Sequence, residues 1–127
     1  MDYFRTEEGK MQNVFVLFEV ELKDGKMQDY LERASLLKDK LKNAEGFIRA
    51  ERFSSLVKDN KILSMTVWKD EASIEKWRNQ ENHRSSQSLG RDNDFIDYKI
   101  TVVRSCRSYG MYDRKDAPID SNDYFKL

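Results

Sequence analysis

Residues 63–77 read LSMTVWKDEASIEKW and join the end of a predicted strand to the start of a predicted helix. The first half alternates between two kinds of side chain, which is the period of a β-strand that ends at Trp68. Asp70 is a residue type that caps helix N-termini, and Glu71 follows it where the helix dipole favours a negative charge. The stretch therefore predicts a strand-to-helix junction with Trp68 in the strand and Trp77 in the helix.

Three further strands and one further helix are predicted around this junction. The four predicted strands cover residues 13–22, 47–56, 61–68 and 97–106. Apolar residues recur at helical spacing from Met27 to Leu41 and predict an amphipathic helix that ends before Gly46. The resulting order, strand, helix, strand, strand, helix, strand, is typical of the ferredoxin-like βαββαβ sandwich. This is an α+β fold in which both helices cover one face of an antiparallel sheet.

The two faces of the predicted sheet differ in character. In the third strand, Leu63, Met65 and Val67 share one purely apolar face, whereas Trp68 lies on the other face with polar residues. The first strand is also apolar on both faces over half its length. Because the helices can cover only one face, the apolar residues on the other face predict a homodimer through the sheet. The Trp68 face then borders a cleft between sheet and helices.

The length and composition predict one domain and exclude several classes of function. We expect a flexible N-terminal segment at residues 1–12, a domain at residues 13–110 and an extended C-terminal tail at residues 111–127. Lysine plus arginine and aspartate plus glutamate both total 23, so nothing in the charge points to a nucleic acid or an anionic membrane. No apolar run approaches the roughly 18 residues that cross a bilayer. A single cysteine and no signal-peptide pattern predict a cytoplasmic protein.

Motifs for metal, nucleotide and nucleophilic chemistry are missing from the sequence. One histidine and one cysteine, far apart, supply no metal-ligand spacing, so we predict no metal. There is no phosphate-binding glycine loop and no GxSxG motif. Cys106 lies at the end of the last predicted strand, where we expect a buried thiol that packs as a small hydrophobic group.

Three segments together resemble a known family. They are TVWKDEASIEKW at residues 66–77, ENHRSSQSLGR at residues 81–91 and FIDYKITVVRSCRSYG at residues 95–110. In this order they resemble the antibiotic biosynthesis monooxygenase family over residues 13–110. The resemblance implies a dimeric α/β barrel that needs no cofactor. It also implies a monooxygenase that removes a proton from an aromatic, quinol or polyketide-like small molecule, whose carbanion or phenolate then reduces dioxygen.

The resemblance also suggests site residues. Trp68 matches the strand-ending tryptophan that lines the family's pocket. His83 is the only side chain with an ordinary pKa near neutrality, so it is the candidate proton acceptor beside Trp68. The substrate-binding candidates are Phe18, Tyr30, Arg84 and Tyr98. Core packing of Trp68 and Tyr30 and surface positions for His83 and Arg84 are the alternative interpretations.

Two alternative functions remain within the same family. Haem-degrading members use an asparagine on the first strand, where Phe18 stands here, and a later histidine, where Gln87 stands here. Haem degradation is therefore disfavoured. A non-catalytic dimeric protein that binds a ligand or serves in a stress response would keep the fold without the chemistry.

Overall fold

The computed structural model describes residues 12–80, 84–85 and 88–127, the side chain of Asp92 excepted. These residues belong to two compact units. One unit covers residues 13–103, and the other contains the terminal residues, of which 12 and 104–127 are described. The predicted flexible segment at residues 1–12 therefore lies outside the described residues except for residue 12.

The first unit is built on a four-stranded antiparallel sheet with the strand order β2-β3-β1-β4. The strands are β1 (Val14–Leu22), β2 (Phe47–Ser54), β3 (Lys61–Trp68) and β4 (Phe95–Arg104). The helices are α1 (Met27–Leu36), α2 (Lys38–Lys42) and α3 (Glu71–Arg78). A π-helical turn at Gly90–Asp94 precedes β4. This arrangement confirms the predicted α+β ferredoxin-like fold.

The predicted first helix is divided into α1 and α2 at Leu37. The Leu37 N–H donates to the carbonyl of Ala34 at 3.3 Å, a contact three residues back that tightens the helix into a 3₁₀-type turn. The Leu41 N–H then donates to the Leu37 carbonyl at 2.9 Å and starts α2. The apolar spacing gave the helical segment correctly but did not reveal this break.

Rows of side chains cross the sheet on the face that the helices cover. Phe18 of β1 pairs with Ser64 of β3, and Ser64 pairs with Arg52 of β2. Directly paired residues point to the same face, so these three side chains form one row. The next row on this face consists of Val16, Thr66 and Ala50. We call this surface the helix-side face.

The buried core on the helix-side face consists of two separate clusters. The first contains Val20, Leu22, Tyr30, Ile62 and Phe95. The second contains Val14, Trp68, Ile74 and Trp77. The rows of Phe18 and Val16 lie between the two clusters along β1, and Phe18 and Val16 are only half-buried. The middle of the sheet is therefore less tightly filled than its two ends.

The junction after Trp68 has the predicted helix cap. The Asp70 carboxylate accepts hydrogen bonds from the Ser73 N–H at 2.8 Å and the Ser73 hydroxyl at 2.7 Å. These two bonds lower the pKa of the Asp70 carboxyl below its ordinary value. The Lys69 N–H donates to the Gly46 carbonyl at 2.8 Å, which ties the start of β2 to the end of β3. The cap and this contact fix where α3 leaves the sheet.

The C-terminal residues differ from two predictions. Residues 111–127 were expected to be extended, but Ile119–Phe125 form a further helix, α4, which follows Pro118. Proline fixes a backbone angle that suits a helix start and lacks the N–H that a helix start leaves unpaired. Cys106 was expected to be buried in the last strand, but β4 ends at Arg104 and Cys106 is exposed. Sequence alternation continued beyond the point where strand pairing stops.

No described helix is long and apolar enough to cross a membrane.

Candidate functional site

A cavity of about 530 Å³ lies between the helix-side face of the sheet and the helices. Its floor includes Val16, Phe18, Arg52, Ser64, Thr66 and Trp68. Its roof includes Tyr30, Arg33, Leu37, Leu41, Ile74 and Trp77. The cavity thus occupies the gap between the two core clusters. Cavities of this size between layers of secondary structure are typical of small-molecule sites.

One end of the cavity is aromatic. Trp68 is 1% exposed, and its indole N–H donates to the Thr66 hydroxyl at 2.8 Å. The Trp68 ring lies edge-on to Phe47 at 5.5 Å between ring centroids, and 6.3 Å from the ring of Trp77. Since the indole N–H is paired and the ring is almost fully buried, Trp68 forms part of the apolar wall of the cavity and offers a ligand no hydrogen bond.

The other end of the cavity is polar. The Tyr30 hydroxyl contacts the Arg52 guanidinium and the Ser64 hydroxyl. Burial raises the pKa of the Tyr30 phenol, and the neighbouring Arg52 opposes this only in part. The phenol therefore keeps its proton at neutral pH and can donate a hydrogen bond. This cluster of Tyr30, Arg52 and Ser64 is named the polar cluster below.

An ion pair lies beside the polar cluster. Arg33 of α1 pairs with Asp94, whose side chain is almost fully buried at the end of the π-helical turn. The backbone carbonyl of Asp94 also accepts a hydrogen bond from the Lys23 N–H at 2.8 Å. A buried carboxylate without a partner lowers the stability of the fold, so Asp94 requires its ion pair with Arg33. The pair attaches the turn before β4 to the first helix.

The charged residues around the cavity are mainly basic. Arg33, Lys38, Arg52 and Arg78 line it, whereas Glu51 is the single acidic residue among its lining residues. Glu51 pairs with Met65 in the sheet register and so belongs to the opposite face. The full sequence has no net charge, so this basic lining is a local feature.

The structure brings three of the six predicted site residues together. Phe18, Tyr30 and Trp68 line the cavity. Tyr98 lies behind Phe18, with ring centroids 5.5 Å apart, and its hydroxyl accepts a hydrogen bond from Arg91. Tyr98 is not among the lining residues of the cavity. Phe18 therefore separates Tyr98 from the site.

The other two predicted residues are Arg84, which lies outside the cavity, and His83, which is not among the described residues. Arg84 is exposed and donates to the Asn79 side-chain oxygen at 2.6 Å. It does not line the cavity. His83 lies outside the described residues, so its role as proton acceptor stays a prediction.

Arg52, Ser64 and Arg33 line the cavity but were not predicted as site residues from the sequence. Arg52 is one of three charges, with Arg49 and Glu51, that interrupt the apolar positions of the predicted second strand. Its pairing with Ser64 depends on the β2–β3 register. Arg33 looked like one of many charges on an amphipathic helix. A charge in the middle of a predicted strand is the local signal that could have identified Arg52, but Arg49 and Glu51 share it.

No group of three or more His, Cys, Asp or Glu side chains within residues 12–80, 84–85 and 88–127 could hold a metal ion. The polar cluster contains donors and cations rather than metal ligands. Its chemistry suits an anionic or electron-rich oxygen group of a ligand.

Two sequence comparisons relate this chain to known proteins. The model of the family described as "Antibiotic biosynthesis monooxygenase" matches residues 13–88. A curated relative, "Jasmonate monooxygenase ABM" of Pyricularia oryzae, is 37% identical over 87 residues, which cover 68% of this chain and 40% of that protein. The chain thus matches less than half the length of this relative.

Solved structures show the same fold at low identity. SnoaB, a cofactor-independent oxygenase from Streptomyces nogalater, is 13% identical with a TM-score of 0.66, over 76% of this chain and 96% of that chain. A conserved protein from Methanosarcina mazei Go1 is 18% identical with a TM-score of 0.68, over 74% of this chain and 93% of that chain. At such identities the likeness concerns the fold alone.

Proposed function

The chain belongs to the antibiotic biosynthesis monooxygenase family, and from this we propose that it is a cofactor-independent monooxygenase. Its substrate is an aromatic, quinol or polyketide-like small molecule that binds in the cavity. The observation that supports this most directly is the 530 Å³ space between two core clusters, aromatic at one end and polar at the other. A cavity of this size, with an apolar wall and a few polar groups, is suited to bind and orient a small molecule.

The proposed reaction needs few protein groups. A base removes a proton from an electron-rich carbon or phenol, and the substrate anion gives electrons to dioxygen. One oxygen atom enters the substrate and the other leaves as water, so the substrate itself is the reductant. The Tyr30 phenol and Arg52 guanidinium are suited to stabilise the negative charge of the substrate anion. In this proposal Trp68 contacts the aromatic ring of the substrate, and His83 accepts the proton.

Oxygen uptake in air tests the proposed reaction. Purified protein is mixed with a hydroxyanthrone, and oxygen consumption is measured against a heat-denatured sample. We expect His83→Ala to reduce turnover by about 10²- to 10⁴-fold, the usual contribution of a positioned base. Cys106→Ser is the control, because Cys106 is exposed beyond β4. A hydroxyanthrone that binds without oxygen uptake would favour the non-catalytic ligand-binding alternative.

Jasmonate is a second candidate substrate. The relative from Pyricularia oryzae is named a jasmonate monooxygenase. Jasmonate is an apolar carboxylic acid, and the basic residues around the cavity favour an acid over a neutral molecule. For jasmonate the balanced form of the proposed reaction converts a CH2 beside its ketone to a carbonyl, while the second oxygen atom leaves as water. The same oxygen assay compares jasmonate with the hydroxyanthrone.

We also propose that the protein is a homodimer that associates through the sheet face opposite the helices. On this face Leu17 pairs with Met65, and Phe15 pairs with Val67. Val67 is buried, while Phe15, Leu17 and Met65 are half-buried in the single chain. Apolar surface of this kind is stabilised when a second copy covers it. The cytoplasmic location remains a prediction from the cysteine content.

A further inference from the structure

We propose that the cavity selects apolar molecules that carry a carboxylate, and that Arg52 binds this carboxylate together with the Tyr30 hydroxyl. The inference rests on the proposed function, because it treats the cavity as the substrate site. It adds the orientation of the ligand and the residues that recognise its carboxylate. In a ligand of this class Arg52 and Tyr30 bind the carboxylate, and they no longer act on the anion formed at the reacting atom. Neither the sequence motifs nor the family resemblance singled out Arg52.

The cationic residues that line the cavity differ in whether they pair with a carboxylate of the protein. Among the cationic residues that line the cavity, Arg33 forms an ion pair with the Asp94 carboxylate. Arg33 is therefore not available to pair with the carboxylate of a ligand. Among the described ion pairs none joins Arg52, Lys38 or Arg78 to a carboxylate. Of these three, Arg52 is the one that contacts the Tyr30 hydroxyl. The guanidinium thus lies at a cavity with hydrogen-bond donors left over. A planar guanidinium matches a carboxylate with two parallel hydrogen bonds.

The neighbours of Arg52 in the polar cluster are two hydroxyl groups. Burial raises the pKa of the Tyr30 phenol, so this group is protonated and can donate at neutral pH. Ser64 contacts the Tyr30 hydroxyl and lies opposite Arg52 in the sheet. The polar cluster therefore presents a cation and two hydroxyls, and it contains no carboxylate that would compete with an acidic ligand. An anionic oxygen group satisfies these donors better than a neutral one.

The distance between the polar end and the aromatic end of the cavity determines the shape of the ligand. Ser64 at the polar end and Trp68 at the aromatic end are four residues apart on β3, which is about 13 Å along a strand. Thr66 lies between them, and its hydroxyl accepts the Trp68 indole N–H. A ligand with its carboxylate at Arg52 would therefore place its apolar body over Thr66 and against the Trp68 ring. The class is an elongated apolar acid.

Isothermal titration calorimetry with two matched probes tests this inference. The probes are 1-naphthaleneacetate and 1-naphthaleneacetamide, which have the same shape and differ in charge. The acid should bind about ten- to a hundredfold more tightly than the amide, the usual range for a hydrogen bond to a charged group. Arg52→Met should remove this preference while the amide binds as before.

Arg49→Met is the matched control. Arg49 lies on the same strand as Arg52 and is likewise exposed, but it pairs with Val67 on the opposite face. The preference for the acid should be unchanged in this variant, which excludes a general effect of lost positive charge. Tyr30→Phe should weaken acid binding by about two- to tenfold, as expected for one lost hydrogen bond. Circular dichroism confirms that each variant is folded before titration.

The outcomes separate this inference from the proposed function. Equal binding of acid and amide by the unsubstituted protein, or an acid preference that survives Arg52→Met, would overturn the carboxylate site. Oxygen uptake from a hydroxyanthrone would then still support the monooxygenase. An acid preference that depends on Arg52, without oxygen uptake from any substrate, would support the carboxylate site and refute the monooxygenase. Failure of both probes to bind would overturn the inference.

Discussion

Substitution of Gly46 by alanine should destabilise the domain far more than the same change at Gly25. Both glycines have a positive φ, 79° at Gly46 and 78° at Gly25. A Cβ at Gly25 would meet nothing within 4 Å, whereas a Cβ at Gly46 would lie 2.0 Å from the Ser73 Oγ and 2.5 Å from its Cβ. The two substitutions share the backbone cost and differ in the clash.

The magnitudes follow from these contacts. A left-handed backbone costs an L-residue about 1–2 kcal/mol, and we expect Gly25→Ala to lose this amount. Rotation of the Ser73 side chain could move its Oγ but not its Cβ, so the chain near Gly46 must shift. Such overpacking adds about 1–3 kcal/mol, which gives about 2–5 kcal/mol for Gly46→Ala. The shift would also disturb the hydrogen bonds from Ser73 to Asp70.

Urea unfolding followed by tryptophan fluorescence measures both free energies of unfolding, because Trp68 and Trp77 are buried. The double variant Gly46→Ala/Ser73→Gly removes the clashing atoms and supplies the internal control. Measured against Ser73→Gly alone, Gly46→Ala should then cost about as much as Gly25→Ala. Equal losses for Gly46→Ala and Gly25→Ala in the unsubstituted protein would refute the close approach of Gly46 to Ser73.

Three further predictions concern the site and the sheet. Thr66→Val leaves the buried Trp68 indole N–H without its acceptor and should lower the free energy of unfolding by about 1–3 kcal/mol in urea. Burial raises the pKa of Tyr30 above 10.0, so the unfolded chain loses this proton first as the pH rises. Stability should therefore fall above about pH 10, and Tyr30→Phe should reduce that fall in alkaline unfolding experiments. Light scattering should give a mass near twice 15.1 kDa, with Met65→Lys more disruptive than Lys61→Glu; a monomer would refute the dimer.

Local sequence patterns were sufficient to predict the fold. The alternation of side chains over residues 61–68 predicted the first and the last residue of β3 correctly. It also placed Trp68 on the helix-side face. Asp70 was recognised as a cap because its side chain bonds to a residue three positions along the chain. These features depend on neighbours in sequence, and the period of side chains along a strand or helix reports them directly. The family resemblance is confirmed by the family model, which matches residues 13–88 and so includes Trp68 and the helix after it.

The site required the tertiary structure, because its parts come from elements that are distant in sequence. Arg52 reaches Ser64 through the β2–β3 register, and Tyr30 reaches both from a helix above the sheet. The partner of Arg33 is Asp94, 61 positions away, which no local pattern could indicate. The cavity exists because two core clusters pack separately, and the volume between them depends on how helices and sheet meet. Periodicity shows which way a side chain points, whereas packing decides what it meets there.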